Sequence, residues 1–264
     1  PAKQQIQKLE TKYKGFYVDW AQKGSATGYD IEYSVNSNMS GAVSKHLTAN
    51  KPDTLTVSGL SGDKTYYVRV RSYTNVNGKV YYGAWSDIKS IKTANNDITK
   101  ATVSGISTKA FTGKAITQNV TVKVGNTVLK NGTDYTVSYS NNKKVGKATV
   151  KITGKGKYGG VITKTFKINP AKQEIQKLTA KSKAFFVDWA QKGSATGYEI
   201  QYATNSKFTG AKKVAITNNK TDKTTVSKLS GNKKYYVRVR SYTTVGGTKY
   251  YGSWSATKTV TTKK

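Results

Sequence analysis

The sequence predicts an all-β protein built from tandem β-sandwiches, and three observations carry that prediction. The composition favours sheets: 19 Tyr, 24 Gly and only 3 Pro in 264 residues, with frequent Val and Thr. No stretch of about ten residues shows the i, i+3, i+4, i+7 apolar spacing of an amphipathic helix. The third is an internal repeat. Residues 1–95 match residues 170–264 at a constant offset of 169 without a gap, with roughly 60% of the paired positions identical. PAKQQIQKL at Pro1 answers PAKQEIQKL at Pro170, and VDWAQKGSATGY at Val18 recurs unchanged at Val187.

A different segment lies between the copies. The expected organisation is three modules, 1–95, 96–169 and 170–264, in an A–B–A order. Pro1 matches Pro170, which follows a B segment, so the natural unit is expected to be an A–B pair repeated in a longer protein. The junctions at 94–97 and 168–172 are a few residues long and are not Gly/Ser tethers. An elongated rod of roughly 100 Å is therefore expected, from sandwiches of ~30–35 Å each.

Each A copy reads as about seven short strands. Phe16, Val18 and Trp20 alternate toward one face, a turn follows at Gly24–Gly28, and Tyr29, Ile31 and Tyr33 alternate next. The loop from Asn36 to Ser44 diverges most between copies. Leu55 and Val57 form a short strand, and Leu60 begins a corner. The most regular stretch is YYVRVRSY, Tyr66 to Tyr73, repeated as Tyr235 to Tyr242. Its Tyr66, Val68, Val70 and Ser72 face inward, while Tyr67, Arg69, Arg71 and Tyr73 face outward.

These residues resemble the fibronectin type III module: a Trp on the second strand, G-Y-x-I-x-Y on the third, then Leu60 six residues before Tyr66 and an alternating V-x-V. The likeness covers about Gln5–Thr93 and Glu174–Thr262. It implies a corner in which the Tyr66 or Tyr235 hydroxyl bonds to upstream backbone. The family usually carries Pro there, before Gly; Ser61 and Ser230 stand in its place. In the centre, GTDYTVSY at 132–139 and VGKATVKITGKGKYGG at 145–160 resemble the small immunoglobulin-like β-domains in repeat arrays of Gram-positive surface and secreted proteins, over about Ala101–Ile168. Asn131-Gly132 within it reads as a hairpin turn.

The formal charge is +32, from 45 Lys and Arg against 13 acids, and only four of the bases are Arg. It divides as +6, +11 and +15 over the three segments. Such a field attracts polyanions. Lysine is a hydrated point charge without the planar fork that specific phosphate or base recognition favours. Nucleic acid is accordingly expected to bind only non-specifically.

Catalysis is not expected. His46 is the single His and there is no Cys, which removes His/Cys metal sites and the Ser-His-Asp and Cys-His nucleophiles. Asp19 and Asp30–Glu32 are acids on consecutive strands, with Asp188 and Glu199 repeating two of them, but they read as outward residues near Lys or Arg. Gly154-Lys155-Gly156-Lys157 reads as a turn, not a phosphate loop. No cofactor is implied.

The sharpest candidate surface is the outward Arg–aromatic set: Tyr67, Arg69, Arg71, Tyr73, Tyr81, Tyr82 and Trp85, with Tyr236, Arg238, Arg240, Tyr242, Tyr250, Tyr251 and Trp254 in the second copy. Trp85 is expected on the strand next to Arg69 and Arg71. This set resembles the Trp–Arg ladder of cytokine-receptor modules. Two readings follow: a ladder that stiffens the sheet, or a platform offering rings and charge to a sugar or peptide. The resemblances imply a non-enzymatic, secreted or surface-attached bacterial segment acting as stalk and adhesive surface, a monomeric piece of a longer array. Its partners would be a polyanionic or glycan surface, such as a cell-wall polymer or host glycan, or a host protein such as immunoglobulin. The alternative is a spacer or docking region of a secreted hydrolase.

Overall fold

A computed structural model describes residues 1–22 and 24–264. The described residues are all-β: short strands in several sheets, with one 3-10 turn at Ile98–Lys100. Among them no helix is long and apolar enough to cross a membrane. The chain divides into two compact units. One comprises residues 1–104, 120–138 and 151–163; the other comprises 105–119, 139–150 and 164–264. Each contains one complete duplicated sandwich.

In the first copy the strands are β1 (Ile6–Lys12), β2 (Gly15–Trp20), β3 (Gly28–Ser34), β4 (Val43–Leu47), β5 (Thr54–Val57), β6 (Thr65–Val76), β7 (Lys79–Tyr82) and β8 (Lys89–Lys92). One sheet runs β1-β2-β5 and the other β4-β3-β6, with β7 and β8 both pairing β6. Counting β7 and β8 as two halves of one interrupted strand gives the seven that the sequence predicts. β4 begins at Val43, two residues inside the stretch read as loop. The second copy repeats both sheets with the same strand order.

The period-2 alternation explains the packing. Phe16, Val18 and Trp20 of β2 meet Tyr29, Ile31 and Tyr33 of β3 and Tyr66, Val68 and Val70 of β6 across the sandwich. Phe16 and Tyr33 cross edge to face at 5.5 Å, and Trp20 lies 5.3 Å from Tyr29. The second copy reproduces these contacts at 5.6 Å for Phe185–Tyr202 and 5.4 Å for Trp189–Tyr198. Trp20 and Trp189 are fully buried. Aromatic cores of this kind concentrate apolar area in few residues, which suits short strands without disulfides.

The corner forms as the resemblance implies. The Ser61 N–H donates to the Tyr66 hydroxyl at 3.3 Å, and the Ser230 N–H to Tyr235 at 3.2 Å. A proline at 61 or 230 would remove that donor.

β2 and β3 belong to different sheets. Asp19 and Asp30 therefore do not lie on neighbouring strands; the Gly24–Gly28 turn carries the chain from one sheet to the other.

In the central segment Thr102–Ser104, Thr121–Val124 and Thr127–Val128 form one sheet. In the other, Lys109–Ala110, Val161–Asn169, Gly146–Gly154 and Tyr135–Ser140 lie in that order. The two-residue hairpin falls at Gly125-Asn126, with Val124 facing Thr127. Asn131-Gly132 is not a hairpin turn. It sits in a corner where the chain changes sheets, closed by Asp134 N–H donating to Lys130 O at 2.8 Å and Lys130 N–H to the Asp134 carboxylate at 2.9 Å. Gly154–Lys157 is a turn, as predicted, with Tyr158 N–H donating to Lys155 O.

The junction residues are structured within each unit. Asn96–Asp97 pairs in parallel with Tyr158–Gly159, Asp97 caps the 3-10 turn, and Ile98 is fully buried. Gly159 leaves no room for a Cβ against the Lys12–Tyr13 backbone. In the second unit, Gly252 lies under the Pro170 and Ala171 carbonyls. Gly83 repeats that approach to Pro1 and Ala2.

Candidate functional site

The outward face of β3 and β6 carries the Arg–aromatic set. Strand pairing puts Asp30 opposite Arg71 and Glu32 opposite Arg69. The same period-2 rule that sends Val68 and Val70 inward sends these four side chains outward together.

The third component comes from the interrupted strand. Between β7 and β8 the chain leaves regular pairing but stays tied to β6. The Gly83 N–H donates to Ser72 O at 2.9 Å, the Ser86 N–H to Val70 O at 2.8 Å, and the Val70 N–H to Ser86 Oγ at 3.1 Å. Trp85 thus sits on an irregular link and not on the regular strand expected for it. Freed from the pleat, its ring lies over both arginines: Arg69 at 4.4 Å and Arg71 at 4.5 Å. Arg71 is covered on its other side by Tyr82 at 3.8 Å. The stack runs Tyr82, Arg71, Trp85, Arg69.

The second copy builds the same stack and extends it. Arg240 lies 3.9 Å from Tyr251 and 4.3 Å from Trp254, and Arg238 lies 4.7 Å from Trp254. Phe208 then covers the far side of Arg238 at 3.9 Å. Phe208 was not among the sequence candidates. It lies in the divergent loop, where the first copy has Met39, and only the exchange of Met for an aromatic there hinted at it.

Carboxylates support the rungs. Arg69 donates through Nε and Nη2 to one Glu32 oxygen at 2.9 and 2.6 Å, and Arg71 Nε donates to Asp30 at 2.9 Å. The acids considered for catalysis are therefore arginine partners. Asp30 also lies 2.6 Å from His46 Nδ1. In the second copy Arg240 keeps Glu199 at 3.1 and 3.2 Å, but Arg238 donates to the neutral amide oxygen of Gln201 at 2.7 Å. Burial, with the Arg240 guanidinium beside it, lowers Arg238 below the ordinary arginine value. The face is charge-balanced in the first copy and net positive in the second.

The remaining candidates divide. Tyr73 and Tyr242 lie on the expected face but are only 4% exposed, so they offer no ring to a ligand. His46 stacks on Tyr73 at 4.7 Å, and the Tyr73 hydroxyl donates to Leu47 O at 3.2 Å. Burial first, then the Asp30 charge, raises the Tyr73 phenol above its usual value. Tyr67 and Tyr236 are half-buried beyond the last arginine and stand outside the stack. Tyr81 is exposed and Tyr250 half-buried, each beside the stack and not in it. Among the described residues no group of His, Cys, Asp and Glu could hold a metal ion.

Each arginine is thus stacked on an aromatic ring and hydrogen-bonded edge-on. Cation–π contacts contribute about 0.5–2 kcal/mol each, more when desolvated. Each rung thus has a ring on its face and an acceptor at its edge, while Tyr82 at the end of the stack stays 50% exposed.

No curated protein matches the chain. Similar solved structures include the crystal structure of the FN1–FN3 domains of chicken CNTN1, 16% identical, covering 100% of this chain and 99% of that one with a TM-score of 0.33. The sequence model of the fibronectin type III domain matches residues 170–257, about a third of the chain. In sequence as in strand order and corner, that part of the chain is similar to a fibronectin type III domain.

Proposed function

We propose that this chain is a non-enzymatic extracellular segment of a bacterial repeat protein, built as an A–B–A series of modules over 1–95, 96–169 and 170–264, that serves as stalk and adhesive surface toward polyanions. One observation carries the reading most directly. The two A copies keep the same buried aromatic core and the same stacked arginines while their net charges differ by nine. The frame is held by packing, and charge is what varies on its surface. The fibronectin type III match supports a spacing or binding module over a catalytic one. The central segment has 13 lysines against two acids, and both acids serve local turns: Asp97 accepts from Thr99 and Asp134 from Lys130.

The test is a glycan and host-protein array with the intact chain, washed over rising salt. Binding to anionic glycans or cell-wall polymers that collapses between about 0.05 and 0.3 M NaCl is the expected result. Salt-resistant capture of a single host protein would overturn it, because a packed interface does not depend on counterion release.

A further inference from the structure

We propose that a lysine-rimmed trough within the second unit binds an anionic polysaccharide, one carrying carboxylate or sulfate groups along its chain. The proposal rests on the polyanion reading above and assigns it a place. A hollow of about 680 Å³ is lined by Tyr139, Lys143, Lys144, Lys147, Val245 and Tyr250, among others. A second, of about 470 Å³, shares Lys147 and Tyr250 and adds Lys167, Ser107 and Thr108. The shared residues join the two into one trough. Among the described residues its lining contains no acid.

The three lysines at 143, 144 and 147 are exposed, and none makes an ion pair among the described residues. Their charge is therefore available to a ligand. Val245 and Tyr250 supply apolar surface, with the Val245 methyls beside Gly146. Cationic rims around a partly apolar trough suit a sugar chain, whose ring faces are apolar and whose substituents are charged. Among the described residues no arginine fork lines it to favour paired contacts with phosphate or bases.

The duplication supplies an internal control. Val76 and Tyr81 occupy the equivalent hairpin positions in the first copy. They line a hollow of about 620 Å³ with Pro1, Ser25, Thr74 and Tyr82, and with no lysine among the described residues. Among the described residues the same hairpin thus borders a lysine-rimmed trough in the second unit and a hollow lined by no lysine in the first.

The experiment uses the intact chain against heparin, polygalacturonate and single-stranded poly-dT at about 0.15 M NaCl, with a salt series for each. Val245→Glu and Val76→Glu change the net charge identically at equivalent, exposed positions. Lys143→Ala/Lys144→Ala/Lys147→Ala removes the rim. The expected result is that Val245→Glu and the triple variant each weaken polysaccharide binding about tenfold or more, the triple with a shallower salt slope, while Val76→Glu costs less than about threefold. If Val76→Glu weakens binding as much as Val245→Glu, attraction is diffuse. The trough is then refuted while the polyanion reading stands. If neither polysaccharide nor poly-dT binds the unaltered chain, both fall; if poly-dT alone binds, the trough's polysaccharide assignment falls and the polyanion reading stands. If poly-dT binds more tightly than either polysaccharide and loses affinity in the same variants, the polysaccharide assignment is overturned.

Discussion

Gln201→Glu should stabilise the second sandwich, and the chain itself supplies the reference state. In the first copy Glu32 takes two short hydrogen bonds from Arg69, at 2.9 and 2.6 Å, with side chains 28% and 19% exposed for arginine and glutamate. In the second, Gln201 takes one bond from Arg238 at 2.7 Å. A hydrogen bond to a charged group contributes about 1.5–3 kcal/mol against about 0.5–1.5 for a neutral one. Partial dehydration of the new carboxylate offsets some of that gain, leaving about 1 kcal/mol. A carboxylate beside Arg238 also relieves its repulsion with Arg240, which contributes to lowering that arginine. Native-state hydrogen exchange resolved by peptide reads each copy separately. Amides of Gly197–Ala203 and Lys234–Val245 should exchange about fivefold more slowly in Gln201→Glu. Glu32→Gln should accelerate the β3 and β6 amides by a similar factor, and high salt should shrink both effects. No change in either variant would show that charge pairing adds nothing to the ladder and that stacking alone holds the rungs.

Three further outcomes follow from the same geometry. Tyr66→Phe or Tyr235→Phe leaves the Ser61 or Ser230 N–H without its acceptor, and should cost about 1–3 kcal/mol, visible as a lower urea midpoint at unchanged slope. Trp254→Ala uncovers both Arg238 and Arg240 and should destabilise the second sandwich by about 1–3 kcal/mol; equal protection in peptides of the mutant and the unaltered chain would contradict the stacking role. Burial raises the phenols of Tyr33, Tyr73, Tyr198 and Tyr202. A raised phenol holds its proton more tightly in the folded state. Its contribution is complete below about pH 10 and is lost as pH rises through the folded value. Thermal midpoints should be flat from neutrality to about pH 10 and fall above it, with tyrosinate absorbance lagging that of the unfolded chain.

What the sequence revealed depended on whether a rule was local. Alternation along YYVRVRSY placed Val68 and Val70 inside and Arg69 and Arg71 outside, because successive side chains of any strand point to opposite faces. The same rule placed Tyr73 outside, and there it was incomplete: the face is correct, but His46 from the neighbouring strand stacks on the ring. Asn131-Gly132 shows a similar limit. The dipeptide marks a turn, but whether the chain returns beside its own strand or crosses to another sheet depends on partners distant in sequence. Phe208 lies thirty residues before the Arg238 it covers, in a loop with no periodicity to read.

The sequence by itself determined the all-β class, the duplication, the buried aromatic set and the corner tyrosines. The class and the buried set follow from side-chain alternation, the duplication from self-comparison at an offset of 169, and the corner tyrosines from the resemblance to the fibronectin type III module. Tertiary structure alone decided that Trp85 and Trp254 lie on irregular links over the arginines. It also decided that Asp30 and Glu32 are arginine partners on a sheet separate from Asp19, and that Tyr250 and Lys147 border one trough. Those relations join residues that no local rule connects, and they exist only once two sheets are packed and their loops closed over them.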